Sequence, residues 1–167
     1  MTLGIDIFLI YCKYIYTTRL PGKFMSKITI RYSKYVNYWE TDKMNIVHHS
    51  NYIKWFEEAR LHFLRECGLP YDKIEKNGIW LPVYEVFAKY IKPACFEDYI
   101  DIDVSIKELT PIKLVLEYFV KKSEEIIVTG YTVHPITDSS LKIKRNSFLY
   151  LKLKELLNSE RNIANEK

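Results

Sequence analysis

DYIDIDVSIKELTPIKLVLEYFVKKSEEIIVTGYTVHPI, residues 98–136, decides the fold of this chain. Over 98–109 apolar and polar residues alternate strictly: Ile100, Ile102, Val104 and Ile106 fall on one face, Asp101, Asp103, Ser105 and Lys107 on the other. A period of two is that of an extended strand with one face toward a core. Residues 111–122 and 124–136 repeat the pattern, and only Leu109-Thr110-Pro111 and Lys122-Ser123-Glu124 separate the three runs. Links that short join antiparallel neighbours. A hairpin-connected sheet is therefore expected over this stretch of the chain.

Working outward, IWLPVYEVFAKYIK (79–92) reads as a further long strand, with Pro82 marking a bulge or an edge near its start. Upstream the period changes. NYIKWFEEARLHFLRECG (51–68) places apolar residues at 52, 56, 59, 63 and 67, the spacing of an amphipathic helix. Ser50 or Asn51 suits its N-cap, and Gly68 with Pro70 suits its stop. Phe56, Ala59 and Phe63 should face the core, and Lys54, Glu57, Glu58 and Glu66 should face water or a partner. A short helical turn is expected over 71–78 and a first strand over ITIRYSKYV (28–36). The 140s read either as a last strand or as the start of a C-terminal helix. One long helix with a sheet of hairpins is an α+β architecture.

With 167 residues, one domain is the expectation. It should span residues 25–158, with residues 1–24 a dispensable extension and 159–167 a polar tail. The first 24 residues carry Asp6 and Lys13 within their apolar stretch and have no cleavage-site pattern, so neither a signal peptide nor a spanning helix is expected. Cys12, Cys67 and Cys95 are an odd number without a CxxC pair. They read as small buried hydrophobes in a protein of the reducing cytoplasm. A net charge of +4 without an arginine-rich block gives no support for nucleic-acid binding. His48, His49, His62 and His134 lack the spacing of a metal site.

The loop ETDKMNIVHHSNY (40–52) sets Asp42, His48 and His49 against the start of the helix. Asp42 reads as a reactive carboxylate or as an Asx turn. His49 reads as a participant or as a histidine tied to loop backbone, and Tyr38 as an active-site donor or a packed loop aromatic. His48 is the neighbour of a site rather than part of one. Glu57 and Arg60 read as a surface pair, and His134 as half-buried in a strand.

Taken together, Asp42-x-x-Asn45-x-Val47-x-His49-Ser50-Asn51-Tyr52, Glu57-x-x-Arg60, Gly68, Gly78-x-x-Leu81-Pro82-Val83, Tyr90-x-x-Pro93 and Asp98 resemble one family. It is that of the hotdog-fold acyl-CoA thioesterases of the 4-hydroxybenzoyl-CoA type, including the branch linked to the Tol–Pal envelope system. The resemblance covers about residues 26–137. It implies a long helix wrapped by a curved antiparallel sheet of five to six strands, paired as a homodimer or homotetramer. It also implies an acyl-CoA as substrate, with no cofactor and no metal. Asp42 matches the catalytic aspartate of that family, Tyr38 and His49 complete the site in the Tol–Pal-linked branch, and Asn45, Val47, Ser50 and Tyr52 are the matching candidates for binding substrate. The amide at the His49 position belongs to the helix end that polarises the thioester carbonyl. The family has glycine where this chain has Asn45, the non-glycine residue that best tolerates a left-handed backbone.

The chemistry fits these residue types. A carboxylate can attack a thioester directly or activate water, and a helix N-terminus offers free N–H groups to the developing oxyanion. An acyl carrier protein thioesterase and a non-catalytic acyl-thioester-binding module are the rival readings.

Overall fold

A computed structural model describes residues 28–165. The expectation for the first 24 residues lies outside that range. Five strands, β1 (Thr29–Tyr35), β2 (Glu85–Tyr90), β3 (Tyr99–Thr110), β4 (Lys113–Lys122) and β5 (Glu125–Pro135), form one sheet in the order β1-β3-β4-β5-β2. Every pairing is antiparallel. The helices are α1 (His49–Glu66), α2 (Tyr71–Lys76) and α3 (Phe148–Asn165). One long helix held against an antiparallel sheet is the hotdog arrangement.

α1 packs on one face of the sheet, touching β1, β2 and β3. Trp55, Phe56, Phe63 and Leu64 are fully buried there against Ile100, Ile102, Leu114, Leu116 and Tyr118. Burying each such side chain contributes about 1.5–3 kcal/mol, so the helical and strand periods lock each other in place. Lys54, Glu57, Glu58 and Glu66 stay exposed. Gly130 makes the fit possible. It lies opposite Tyr118 in the sheet, and a Cβ on it would meet the Phe56 ring at 2.6 Å. Phe56 stacks on Tyr118 at 4.3 Å in the space this leaves.

Several expectations are corrected. The strand expected over 79–92 is confined to Glu85–Tyr90, because Pro82 has no N–H to donate and regular pairing with β5 begins only beyond it. Trp80 makes an isolated bridge to Thr137. On the polar face of β3, Asp103 and Ser105 are buried. Arg31 and Lys121 reach over Asp103 at 2.7 and 2.8 Å, and Ser105 donates to Glu117 at 3.0 Å. Cys67 is buried and its thiol is pushed up to about 12, while Cys95 is half-buried. The 140s form a loop whose Ile143 bridges Thr137, and α3 then runs through to Asn165. Among the described residues no helix is long and apolar enough to cross a membrane.

Candidate active site

Residues 41–47 form a closed loop between β1 and α1. Thr41 and Val47 bridge across it, Asp42 N–H donates to Ile46 O at 3.0 Å, and Asn45 N–H donates to Asp42 O at 2.9 Å. Asn45 has φ +61°, the left-handed backbone that asparagine tolerates without a glycine. Val47 N–H then donates to Ala94 O at 2.8 Å, which pins the loop to the segment following β2.

Asp42 Oδ1 accepts from Met44 N–H at 2.8 Å, so an Asx turn does form. Its other oxygen, Oδ2, accepts no hydrogen bond among the described residues. Asp42 lines an open cleft of about 320 Å3 together with Met44, Ile46, Val47, His49, Tyr52, Tyr90, Ile91, Lys92 and Pro93. The lining is mostly apolar, with one carboxylate and one imidazole at the loop side. Tyr52 accepts from Ala94 N–H at 3.2 Å, and Tyr90 donates to His49 O at 3.1 Å. These bonds fix the cleft wall to the first turn of α1.

The helix begins two residues before the expected cap. His48 is the N-cap, with Nδ1 near Ser50 N–H at 3.4 Å and Ser50 Oγ at 2.9 Å. Asn51, expected as a cap, donates from its side chain to Glu40 O at 2.7 Å. His49 is the first helical residue, and its backbone N–H donates to no acceptor among the described residues. An N–H at that position lies at the positive end of the helix dipole, in a residue that lines the cleft.

Of the expected site residues, the structure gathers Asp42, Val47, His49 and Tyr52 around the cleft. Tyr38, Asn45 and Ser50 are not in its lining. Tyr38 is 74% exposed, and its ring stands edge-on to Phe96 at 5.7 Å. Ser50 serves the cap, and Asn45 shapes the loop.

Glu40 was not expected. It is buried, and its carboxylate accepts from Asn37 N–H at 2.8 Å, Lys34 Nζ at 2.9 Å and Trp55 Nε1 at 2.6 Å. Burial pushes its pKa up, but those three hydrogen bonds and the Lys34 charge outweigh that and hold the carboxyl below its usual range. Its backbone carbonyl accepts from His48 N–H at 2.9 Å as well as from Asn51. One residue thereby joins β1, the loop and α1. The signal in the sequence was a lone acid beside the motif, which also reads as a solvated loop residue.

A second buried polar group lies under α1. His134 is fully buried, not half-buried, with Nε2 at 2.8 Å from Thr132 Oγ1 and Nδ1 at 3.2 Å from Pro82 O. Burial, and then the Arg60 charge, push its pKa down to about 4. Arg60 itself is buried rather than in a surface pair. Its Nη1 donates to Leu81 O at 3.3 Å, and Glu57 is 3.8 Å from Nη2. Among the described residues no three His, Cys, Asp or Glu side chains converge as metal ligands.

Comparison with known proteins adds to this geometry. A family model described as the thioesterase-like superfamily matches residues 36–150. A protein of Aquifex aeolicus provisionally named an esterase is 35% identical over 103 residues, 62% of this chain and 80% of that protein. One of Bacillus subtilis, provisionally named an acyl-CoA thioesterase, is 33% identical over 104 residues, 62% of this chain and 75% of that protein. The crystal structure of a DHNA-CoA thioesterase from Staphylococcus aureus superposes with a TM-score of 0.73 at 26% identity, over 83% of this chain and 94% of that one.

Proposed function

This chain belongs to the thioesterase-like superfamily and is a thioester hydrolase, and from that premise we propose that it cleaves an acyl-CoA to the free acid and coenzyme A. The observation that carries the reading is the meeting of Asp42 and the free amide end of α1 at one apolar cleft. The carboxylate either attacks the carbonyl carbon, forming a mixed anhydride that water then hydrolyses, or takes a proton from the water that attacks. In both, the C–S bond breaks and the sulfur leaves with its electron pair. The His49 N–H faces the oxygen on which charge collects, a contribution of about 3 kcal/mol for one well-placed donor. His49's ring, on the lining of the same cleft, orients Asp42 or the water. The apolar walls formed by Ile46, Val47, Tyr52 and Ile91 receive the acyl group. Coenzyme A arrives as part of the substrate, and the reaction requires neither metal nor cofactor.

The joint presence of Tyr38, Asp42 and His49 supports a finer placement in the branch linked to the Tol–Pal system. Free thiols at Cys67 and Cys95 support a cytoplasmic enzyme. The outer edge of β2 exposes Val86, Phe87 and Tyr90, and it supports a homodimer joined edge to edge, with a homotetramer built from two such pairs. Thiol release from matched acyl-CoA and acyl carrier protein substrates tests the reading. Turnover of the coenzyme A series at least as fast as of the carrier series is expected. Turnover of the carrier series alone would transfer the activity to carrier-protein substrates.

A further inference from the structure

Away from the cleft, α2, the loop after β5 and the start of α3 build a surface on which cations and large apolar side chains alternate. Residues 141–154, LKIKRNSFLYLKLK, contain Lys142, Lys144, Arg145, Lys152 and Lys154 and no acid. In the same run Leu141 is 63% exposed, Ile143 50% and Leu151 54%, with Phe148 close behind. Trp80 joins them. Trp80 and Ile143 bridge Thr137 from its two sides, so their side chains share a face and Thr137 is buried between them. Lys73 stands over the Phe148 ring, and Lys144 Nζ donates to the carbonyls of Asn77 and Gly78 at 3.0 and 3.1 Å. These contacts make one continuous surface from α2 to α3. Asp138, three residues before the run, is engaged by the backbone amides of Ser140 and Lys142, while Glu155, which follows it directly, pairs with Lys152 at 3.0 Å. Among the described residues neither Lys142 nor Arg145 has an ion-pair partner.

Protein-binding faces gather their apolar groups in a centre and keep charge at the rim. Here the two kinds are interleaved, and the apolar set includes an indole, which suits the boundary between water and lipid. We propose that this face docks peripherally on bilayers that contain anionic phospholipid. Lys142 and Arg145 meet the headgroup phosphates, while Trp80, Ile143, Phe148 and Leu151 enter the upper acyl region. This inference does not rest on the thioesterase reading, since none of these residues lines the cleft.

The test is co-sedimentation of the full chain with vesicles of phosphatidylcholine alone and of phosphatidylcholine mixed with phosphatidylglycerol. Binding to the mixed vesicles only is expected, with release at high salt as screening shortens the reach of the charges. Lys142→Ala with Arg145→Ala should weaken binding about thirtyfold. Ile143→Asp should weaken it further, and thiol release from a soluble acyl-CoA should stay unchanged in every variant. Equal sedimentation with both vesicle types, no sedimentation with either, or undiminished binding in the double variant would overturn the proposal. So would a change in sedimentation coefficient of the vesicle-free double variant, because the face would then join copies of this chain.

Discussion

Two residues before Asp42, Glu40 gathers donors from β1, the loop and α1 onto one buried carboxylate. Glu40→Ala leaves the Lys34 ammonium, the Trp55 N–H and the Asn37 N–H without that acceptor. We expect a loss of about 3 kcal/mol in urea unfolding, because unpaired buried donors cost more than the bond itself contributed. Glu40→Gln should lose less, since the amide oxygen still accepts. Thiol release measured below the melting range should fall in both variants, as the loop no longer holds Asp42 opposite His49. The placement of Asp42 and His49 at one cleft was legible in the sequence because a short loop fixes their spacing to the helix start. Glu40 was not, because a tertiary hub of this kind has no spacing of its own. Nor was the exposure of Tyr38, which depends on how the turn at 38–40 meets Phe96.

At the scale of elements, α1 meets the sheet through Phe56, and Gly130 is the space it needs. Gly130→Ala forces the Phe56 ring or the backbone at Phe87 to move. A loss of about 1–3 kcal/mol is expected from the denaturation midpoint, the usual range for overpacking. Periods of two and of 3.6 made β3, β4, β5 and α1 readable, because each buries one continuous face. The beginning of β2 was misread. Ile79–Val83 is as apolar as a strand, yet Arg60 and His134 hold its carbonyls at Leu81 and Pro82 by side-chain hydrogen bonds. Pro82 gave the local signal for a break, but partners so remote in sequence left no pattern for where the strand begins. The α1 cap moves from the expected Ser50 or Asn51 to His48 for a local reason, since the imidazole Nδ1 takes the Ser50 N–H that a cap serves.

For the whole molecule, acid stability separates into two windows. His134 has its pKa lowered to about 4, so its folded site favours the neutral ring. Stability from this group is complete above its unfolded pKa, near 6.5, and is lost as pH falls from there toward 4. The loss amounts to about 3 kcal/mol and should vanish from the unfolding curve of His134→Gln. Glu40 and Asp103 are held below the usual carboxylate range, so their contribution is lost only at lower pH, as it falls through their folded values. Assembly is the second property at this scale. Val86→Glu on the exposed edge of β2 would set like charges against each other across a twofold axis. Sedimentation velocity tests the proposed edge-to-edge pair: a dimer is expected for the unaltered protein and a monomer for the variant.

The central claim is that Asp42 performs the chemistry at the amide end of α1. The measurement that tests it most directly is steady-state thiol release from an acyl-CoA by the unaltered protein and by Asp42→Asn, with circular dichroism showing both folded. Asparagine keeps the Asx turn to Met44 while removing the charge, so the loop survives and the nucleophile or base does not. The account predicts a fall in kcat of about a thousandfold or more with KM little changed. Equal kcat values in the two proteins would contradict it and move the chemistry away from this loop.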